Sequence, residues 1–258
     1  MTKELFARLE VYSDNAPRSA AMNMAIDEAL LESAAAPSIR FYRWESPALS
    51  FGYFGRFADV ADKASERDLV RRWTGGGIVF HGEDLTYSVV IPANDPVFAE
   101  SPMSIYENVH HALRKALVAN GERAELLAVA AVCDRRTCFR SNNFPTADGS
   151  TQNSPVAGGV DAGTAIVDHG YNCFANPVRA DVTIDGRKVA GAAQRRTRGG
   201  LLQQGSVQYI ELGNGLAERF VQALSANCSE RKIADEILNR AWELARQKYE
   251  SDAWLRRR

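Results

Sequence analysis

Three stretches of this 258-residue chain combine residue types that do chemistry. The first runs Arg71-Arg72-Trp73-Thr74-Gly75-Gly76-Gly77-Ile78-Val79-Phe80-His81. Three glycines after a basic pair let the backbone approach a ligand closely and turn amide groups toward an anion. The order matches neither a Walker A loop nor GxGxxG. The pattern alone therefore fits either a pocket for an anionic or bulky ligand or a tight turn between strands. His81 offers a base, a hydrogen-bond donor or a structural contact. The second stretch is Lys188 followed by Gly191-Ala192-Ala193-Gln194. A lysine held on a sheet face suits a carboxylate, a phosphate or an acyl carbonyl. Small residues beyond it admit a close neighbour. A solvated hairpin lysine is the plainer reading. The third is Cys173, between Tyr171-Asn172 and Phe174-Ala175-Asn176-Pro177. A nearby cation such as Lys188 favours its thiolate; otherwise it is a small buried hydrophobe.

The other candidates are weaker. Cys133, Cys138 and Cys228 show no zinc-site spacing and read as small buried hydrophobes, so no metal is expected. His110, His111 and His169 carry no pattern of their own. Net charge is −1, which argues against a general nucleic-acid or membrane-surface binder. No apolar run approaches the ~18–20 residues that span a bilayer. Met1 to Glu10 lacks a signal-peptide core. Cytoplasm is the default expectation, with the cysteines reduced.

Local patterns predict the elements that position these groups. Met22, Ile26, Ala29 and Leu30 recur at helical spacing, so Ser19 to Ser33 reads as an amphipathic helix. Ile39 to Trp44, Ala48 to Phe51 and Thr86 to Ile91 read as strands. Ser104 and Glu107 look like a capping box opening a helix with Ile105, Val109, Leu113, Ala116 and Leu117 on its apolar stripe, stopped at Gly121. Residues 140–170 are rich in Ser, Asn, Gly, Thr and Ala and read as a long mobile loop or insertion. Val182-Thr183-Ile184, Asp185-Gly186 and Arg187-Lys188-Val189 read as a two-residue hairpin. That turn sets Thr183 opposite Lys188 and Val182 opposite Val189. Alternation then puts Lys188 and Asp181 together on the face away from the core. Leu201 to Val207 continues as a strand, and a helix from about 229 to 249 closes the chain. Helices and strands mix without strict alternation, which predicts an α+β fold in a single domain over 1–258.

Taken together, these segments resemble the lipoate-protein ligase, octanoyltransferase and biotin-ligase catalytic-domain superfamily. The resemblance rests on Met22-Asn23-Met24-Ala25-Ile26-Asp27-Glu28, Arg71 to His81, Leu85-Thr86-Tyr87-Ser88, Gly186 through Arg196, and Leu201-Leu202-Gln203-Gln204-Gly205-Ser206. It implies a mixed β-sheet flanked by helices and an acyl chain bound in a tunnel. Arg72, Thr74, Gly75, Gly76, Gly77 and His81 would line the acyl site, with Asp181, Gly191, Ala192 and Gln194 alongside. Lys188 would contact the reacting acyl carbonyl or the phosphate of an adenylate. Cys173-Phe174 shortly before the hairpin resembles the cysteine of the octanoyltransferase branch. In that branch, acyl carrier protein donates an octanoyl or lipoyl group through a cysteine thioester. The acceptor is a lysine of a lipoyl domain, in 2-oxoacid dehydrogenase E2 subunits or the glycine-cleavage carrier protein, and no cofactor is used. The alternative is an ATP- and Mg-dependent lipoate-protein ligase acting through lipoyl-AMP, which the triple glycine resembles more. A non-catalytic acyl-carrier binding protein is a lesser alternative.

Overall fold

The computed structural model describes residues 4–128, 178–210, 213 and 215–257. The expected loop at 140–170 lies outside them, as do Cys133, Cys138, His169 and Cys173. In chain order the elements are β1 (Leu9–Arg18), α1 (Ala20–Ser33), β2 (Ser38–Trp44), β3 (Ala48–Phe51), β4 (Asp68–Arg71), β5 (Val79–His81), β6 (Leu85–Pro92), α2 (Pro102–Ala119), β7 (Ala124–Leu126), β8 (Val182–Ile184), β9 (Arg187–Arg196), β10 (Gly200–Val207), α3 (Leu216–Leu224), β11 (Cys228–Arg231), α4 (Asp235–Leu244) and α5 (Asp252–Leu255). Among the described residues they build an eight-stranded sheet in the order β11-β1-β2-β6-β10-β9-β8-β7 and a three-stranded sheet in the order β4-β3-β5. β1 runs parallel to β11 and to β2, and the rest of the large sheet is antiparallel. The expected α+β mixed sheet flanked by helices is the observed one.

Alternation along the strands sends side chains to two cores. Ile105, Val109, Leu113 and Leu117 of α2 pack with Phe220 of α3 on Val89, Ile91, Leu201 and Val207. On the other face Met24, Ile26 and Leu30 of α1 meet Val90 and Leu202. Helix α1 is not amphipathic as expected. Ala20 through Leu31 are all buried, because α4 and the π-helical turn Ala245–Tyr249 cover its outer side with Ala241, Leu244 and Tyr249. Its polar residues Asn23 and Asp27 are therefore inside the protein.

Helix ends follow the strongest local signal. Ser19 caps α1, its hydroxyl accepting from the Met22 N–H at 3.3 Å. Helix α2 opens one turn earlier than the Ser104–Glu107 box predicts. Ser101 accepts from the Ser104 N–H at 3.0 Å, and Pro102 stands in the first turn. Proline costs no hydrogen bond there and its φ is already helical. Ser104 instead donates to Glu100, and Glu107 pairs with Arg179. Gly121, at φ +97°, ends the helix as expected.

The predicted closing helix divides. Cys228–Arg231 is strand β11, pairing Leu9 with Cys228 along β1, and helix resumes at Asp235. An open sheet edge leaves backbone groups unpaired, and covering it outweighs local helical propensity. Cys228 sits exposed on that edge rather than buried.

The hairpin forms with Asp185 at φ 48° and Gly186 at φ 78°, both positive as a type I′ turn requires. Thr183 faces Lys188 as predicted, but Val182 faces Ala190. Val189 is an extra residue, and a bulge shifts the register there. The face away from the core is covered too: Lys188, Asp181 and Thr183 are all buried.

Candidate active site

The Lys188 ammonium lies 2.7 Å from Asp181 Oδ2, with the two side chains 2% and 0% exposed. Asp181 is held from two more directions. The Val178 N–H donates to Oδ2 at 2.6 Å, and the Tyr106 hydroxyl donates to Oδ1 at 2.6 Å. Strand β8 pairs with β9 only as far as Ala190. Beyond that point the Ala192 N–H donates to Tyr106 Oη at 3.2 Å, so α2 replaces the missing strand. Burial, with Asp181 close by, raises the Tyr106 pKa and keeps its proton in place. Gly191 makes room for the lysine. A Cβ built there would fall 2.5 Å from Lys188 Cε and 2.6 Å from Nζ. A buried ion pair persists only when its remaining polar valences are met, and these contacts meet them for Asp181.

Gly191, Ala192 and Ala193 form one wall of a narrow cavity. Met24, Tyr42, Trp44, Val79, Arg72 and His81 are among the residues that close it. Polar side chains around it satisfy one another, and this leaves the space itself largely apolar.

One such network ties the glycine loop to α1. Thr74 donates to Gln204 Oε1 at 2.8 Å, and the Gln204 amide donates to Asp27 Oδ2 at 2.7 Å. Asp27 also accepts from Arg40 at 2.9 Å, Ser88 at 2.7 Å and Tyr42 at 3.2 Å. Arg72 braces the loop from inside, donating to Gly75 O at 3.0 Å, Gly77 O at 2.7 Å and Ser50 Oγ at 2.7 Å. Gly76 has φ +86°, and a Cβ on Gly52 would strike its carbonyl at 2.0 Å.

The second network surrounds His81. Nδ1 is 2.8 Å from Asp84 Oδ2 and Nε2 is 2.7 Å from Ser50 Oγ, with the ring stacked on Trp44 at 4.1 Å. Thr86 and Ser206 also donate to Asp84, each at 2.7 Å. Burial alone raises this carboxyl, but the charge and hydrogen bond of His81, with Ser206 and Thr86, hold its pKa at about 2. An ionised Asp84 makes Nδ1 the donor nitrogen of His81. His81 thus supports the cavity wall through a fixed partner set.

Of the residues chosen from sequence, Arg72, His81, Gly191 and Ala192 line the cavity, and Thr74 to Gly77 form the loop beside it. Lys188 and Asp181 come together as a pair at its edge. Gln194 points elsewhere, its amide donating to Gln203 at 2.7 Å, and Gln204 takes the place beside the cavity. Cys173 lies outside the described residues. Tyr106, Ser50 and Asp27 belong to the site without having been singled out as site residues. Asp84, three residues after His81, carried the one readable signal. His110 buttresses the turn before Asp181 through Nδ1 to Ala180 O at 2.7 Å, and burial lowers its pKa to about 4. Among the described residues, no group of three or more His, Cys, Asp or Glu side chains could hold a metal ion. No helix there is long and apolar enough to cross a membrane.

The arrangement offers an apolar slot beside a fixed ammonium, which suits an acyl chain with its carbonyl oxygen toward the cation. Comparisons with known proteins give the chain a family and a fold. Residues 19–234 match the lipoyl protein ligase A/B catalytic domain. The octanoyltransferase LipM of Oceanobacillus iheyensis is 32% identical over 204 residues, which cover 76% of this chain and 62% of that protein. The match to the Bacillus cereus octanoyltransferase LipM is 28% identical and covers 94% of this chain and 96% of that one. A structure of lipoate-protein ligase A bound with ATP superposes with a TM-score of 0.66 at 19% identity, covering 97% of this chain and 98% of that one. A bipartite lipoate protein ligase from Thermoplasma acidophilum gives 0.65 at 19% identity, with 97% and 96% covered.

Proposed function

The chain belongs to the lipoyl protein ligase A/B catalytic domain family, and on that premise we propose that it transfers an octanoyl group from a thioester donor to a lysine of lipoyl-domain proteins. The observation that carries this reading is the buried Lys188–Asp181 pair, packed on Gly191 at the wall of an apolar cavity. The octanoyltransferase names of the relatives support it.

In this mechanism the Cys173 thiolate attacks the thioester carbonyl. The donor thiol leaves and an octanoyl-cysteine forms. The target lysine amine then attacks the same carbonyl, an amide forms and the thiol of Cys173 is regenerated. Thioester exchange is close to isoenergetic, and amide formation draws it forward, so ATP is not required. Lys188 orients the carbonyl oxygen and stabilises negative charge on it. Its ammonium also favours the thiolate. The donor is an acyl carrier protein, and the acceptors are lipoyl domains of 2-oxoacid dehydrogenase E2 subunits and the glycine-cleavage carrier protein.

The ATP-dependent ligase reading draws on the triple glycine, with Gly76 at positive φ. Purified chain incubated with octanoyl-carrier protein and a lipoyl domain separates the two. Octanoylation of the domain without ATP is expected. Modification only when free acid, ATP and magnesium are supplied would overturn the transferase reading in favour of the ligase.

A further inference from the structure

Strand β9 continues past the cavity, and one of its faces carries Gly191, Ala193 and Arg195 in succession. Lys188 Nζ packs on Gly191, and Ala193 meets Gly76 of the glycine loop. Arg195 comes next, its guanidinium 5.1 Å from the Trp73 ring and 5.3 Å from the Tyr53 ring. Arg257 lies 4.4 Å over the same Tyr53 ring. Tyr53 belongs to the glycine-loop neighbourhood, since its N–H donates to Thr74 O at 2.9 Å.

This cluster is short of negative charge. Arg195 Nε is buried without a hydrogen-bond partner among the described residues. Neither Arg195 nor Arg257 has an ion-pair partner there. The neighbouring Lys248 spends its charge on Glu28, at 2.6 Å. Burial, with Arg195 adding to it, pushes the Lys248 pKa down. Aromatic rings hold both guanidiniums in place, and a planar, weakly hydrated guanidinium is suited to phosphate.

We propose that Arg195, with Arg257 beside it, binds the phosphate that ends a pantetheine arm whose acyl thioester reaches Lys188. This rests on the thioester-donor reading. Its geometry is self-consistent. Four residues of strand from Gly191 to Arg195 span roughly 13 Å. About thirteen bonds join sulfur to phosphorus in a pantetheine phosphate, which reach on the order of 15 Å at peptide-like spacing. Phosphate so linked occurs both in a free coenzyme thioester and on a carrier protein.

The test compares octanoyl-pantetheine with octanoyl-4′-phosphopantetheine as donors, using the full chain. The parent should prefer the phosphorylated donor at least about tenfold in kcat/KM, the worth of one charge-assisted hydrogen bond. Arg195→Ala should bring that ratio to about one, and Arg195→Lys should restore part of it. No preference in the parent, or an unchanged ratio in Arg195→Ala, would overturn the assignment. Calorimetry with unacylated 4′-phosphopantetheine gives a readout independent of transfer. Binding that Arg195→Ala weakens tenfold supports the site even where no acyl group moves. Absence of binding, or binding of ATP alone, counts against it. Octanoyl-coenzyme A and octanoyl-carrier protein then identify the source, through whichever shows the larger dependence on Arg195.

Discussion

Gly191→Ala should disable acyl transfer while leaving the fold nearly intact. An added Cβ falls 2.6 Å from Lys188 Nζ, and ordinary contact begins near 3.4 Å, so the ammonium must retreat by about 0.8 Å. It now sits 2.7 Å from Asp181, and a retreat of that size stretches the pair to about 3.5 Å, the outer edge of hydrogen-bond range. Two costs compete. Leaving both charges buried and apart costs about 3–5 kcal/mol. Swinging the flexible end of the lysine into another rotamer costs about 0.5–1.5 kcal/mol. The second route is open, because the obstructing atoms are the far end of a flexible side chain while the Gly191 backbone is held opposite Ser206. A stability loss of about 0.5–1.5 kcal/mol is therefore expected. A positioning error near 1 Å costs on the order of 100-fold in rate. Single-turnover acyl transfer measured beside a thermal melt gives both quantities. A rate within threefold of the parent would show that Gly191 does not set the position of the Lys188 ammonium.

Four further outcomes follow from named contacts. Gly52→Ala must displace the Gly76 carbonyl, which is backbone rather than a flexible tip, so it should cost about 1–3 kcal/mol in urea unfolding and slow transfer as well. Ser101→Ala should cost about 1 kcal/mol and Ser104→Ala clearly less, because Ser101 is the cap of α2. Asp84 is held at about 2 against an ordinary 3.8, so its stabilisation is complete above pH 4 and is lost as pH falls toward 2. That loss amounts to about 2 kcal/mol, and Asp84→Asn should lack this limb in acid-unfolding curves. His110 is lowered from 6.5 to about 4, so the unfolded chain takes up its proton first and stability declines from pH 6.5 to 4 by about 3 kcal/mol. A His110→Phe variant should flatten that region of the profile.

Sequence patterns revealed most where the signal was local. Asp185-Gly186 demanded a type I′ turn, and the turn formed with both residues at positive φ. Arg72, His81, Gly191 and Ala192, chosen because their types suit charge and close approach, do line the cavity. What escaped was set by packing between distant segments. The bulge at Val189 arises where β8 runs out and α2 supplies Tyr106, and nothing within the hairpin announces it. Helix α1 showed an apolar stripe, yet the cover of α4 makes its other side buried too. Asp27 then becomes the hub joining Arg40, Ser88, Tyr42 and Gln204. Strand β11 was hidden in a helical pattern, because only the open edge of β1 calls for it. Gln194 and Gln204 look equivalent in sequence, and their strand register decides which one serves the cavity.

Transfer through Cys173, with Lys188 at the octanoyl carbonyl, requires a covalent octanoyl-enzyme. Intact-protein mass spectrometry tests it most directly, after mixing the chain with octanoyl-carrier protein and no acceptor. One octanoyl increment is expected that hydroxylamine removes, that Cys173→Ala abolishes and that Cys228→Ala leaves in place. An unaltered increment in Cys173→Ala, or lipoyl-domain octanoylation proceeding at parent rate without Cys173, would contradict it.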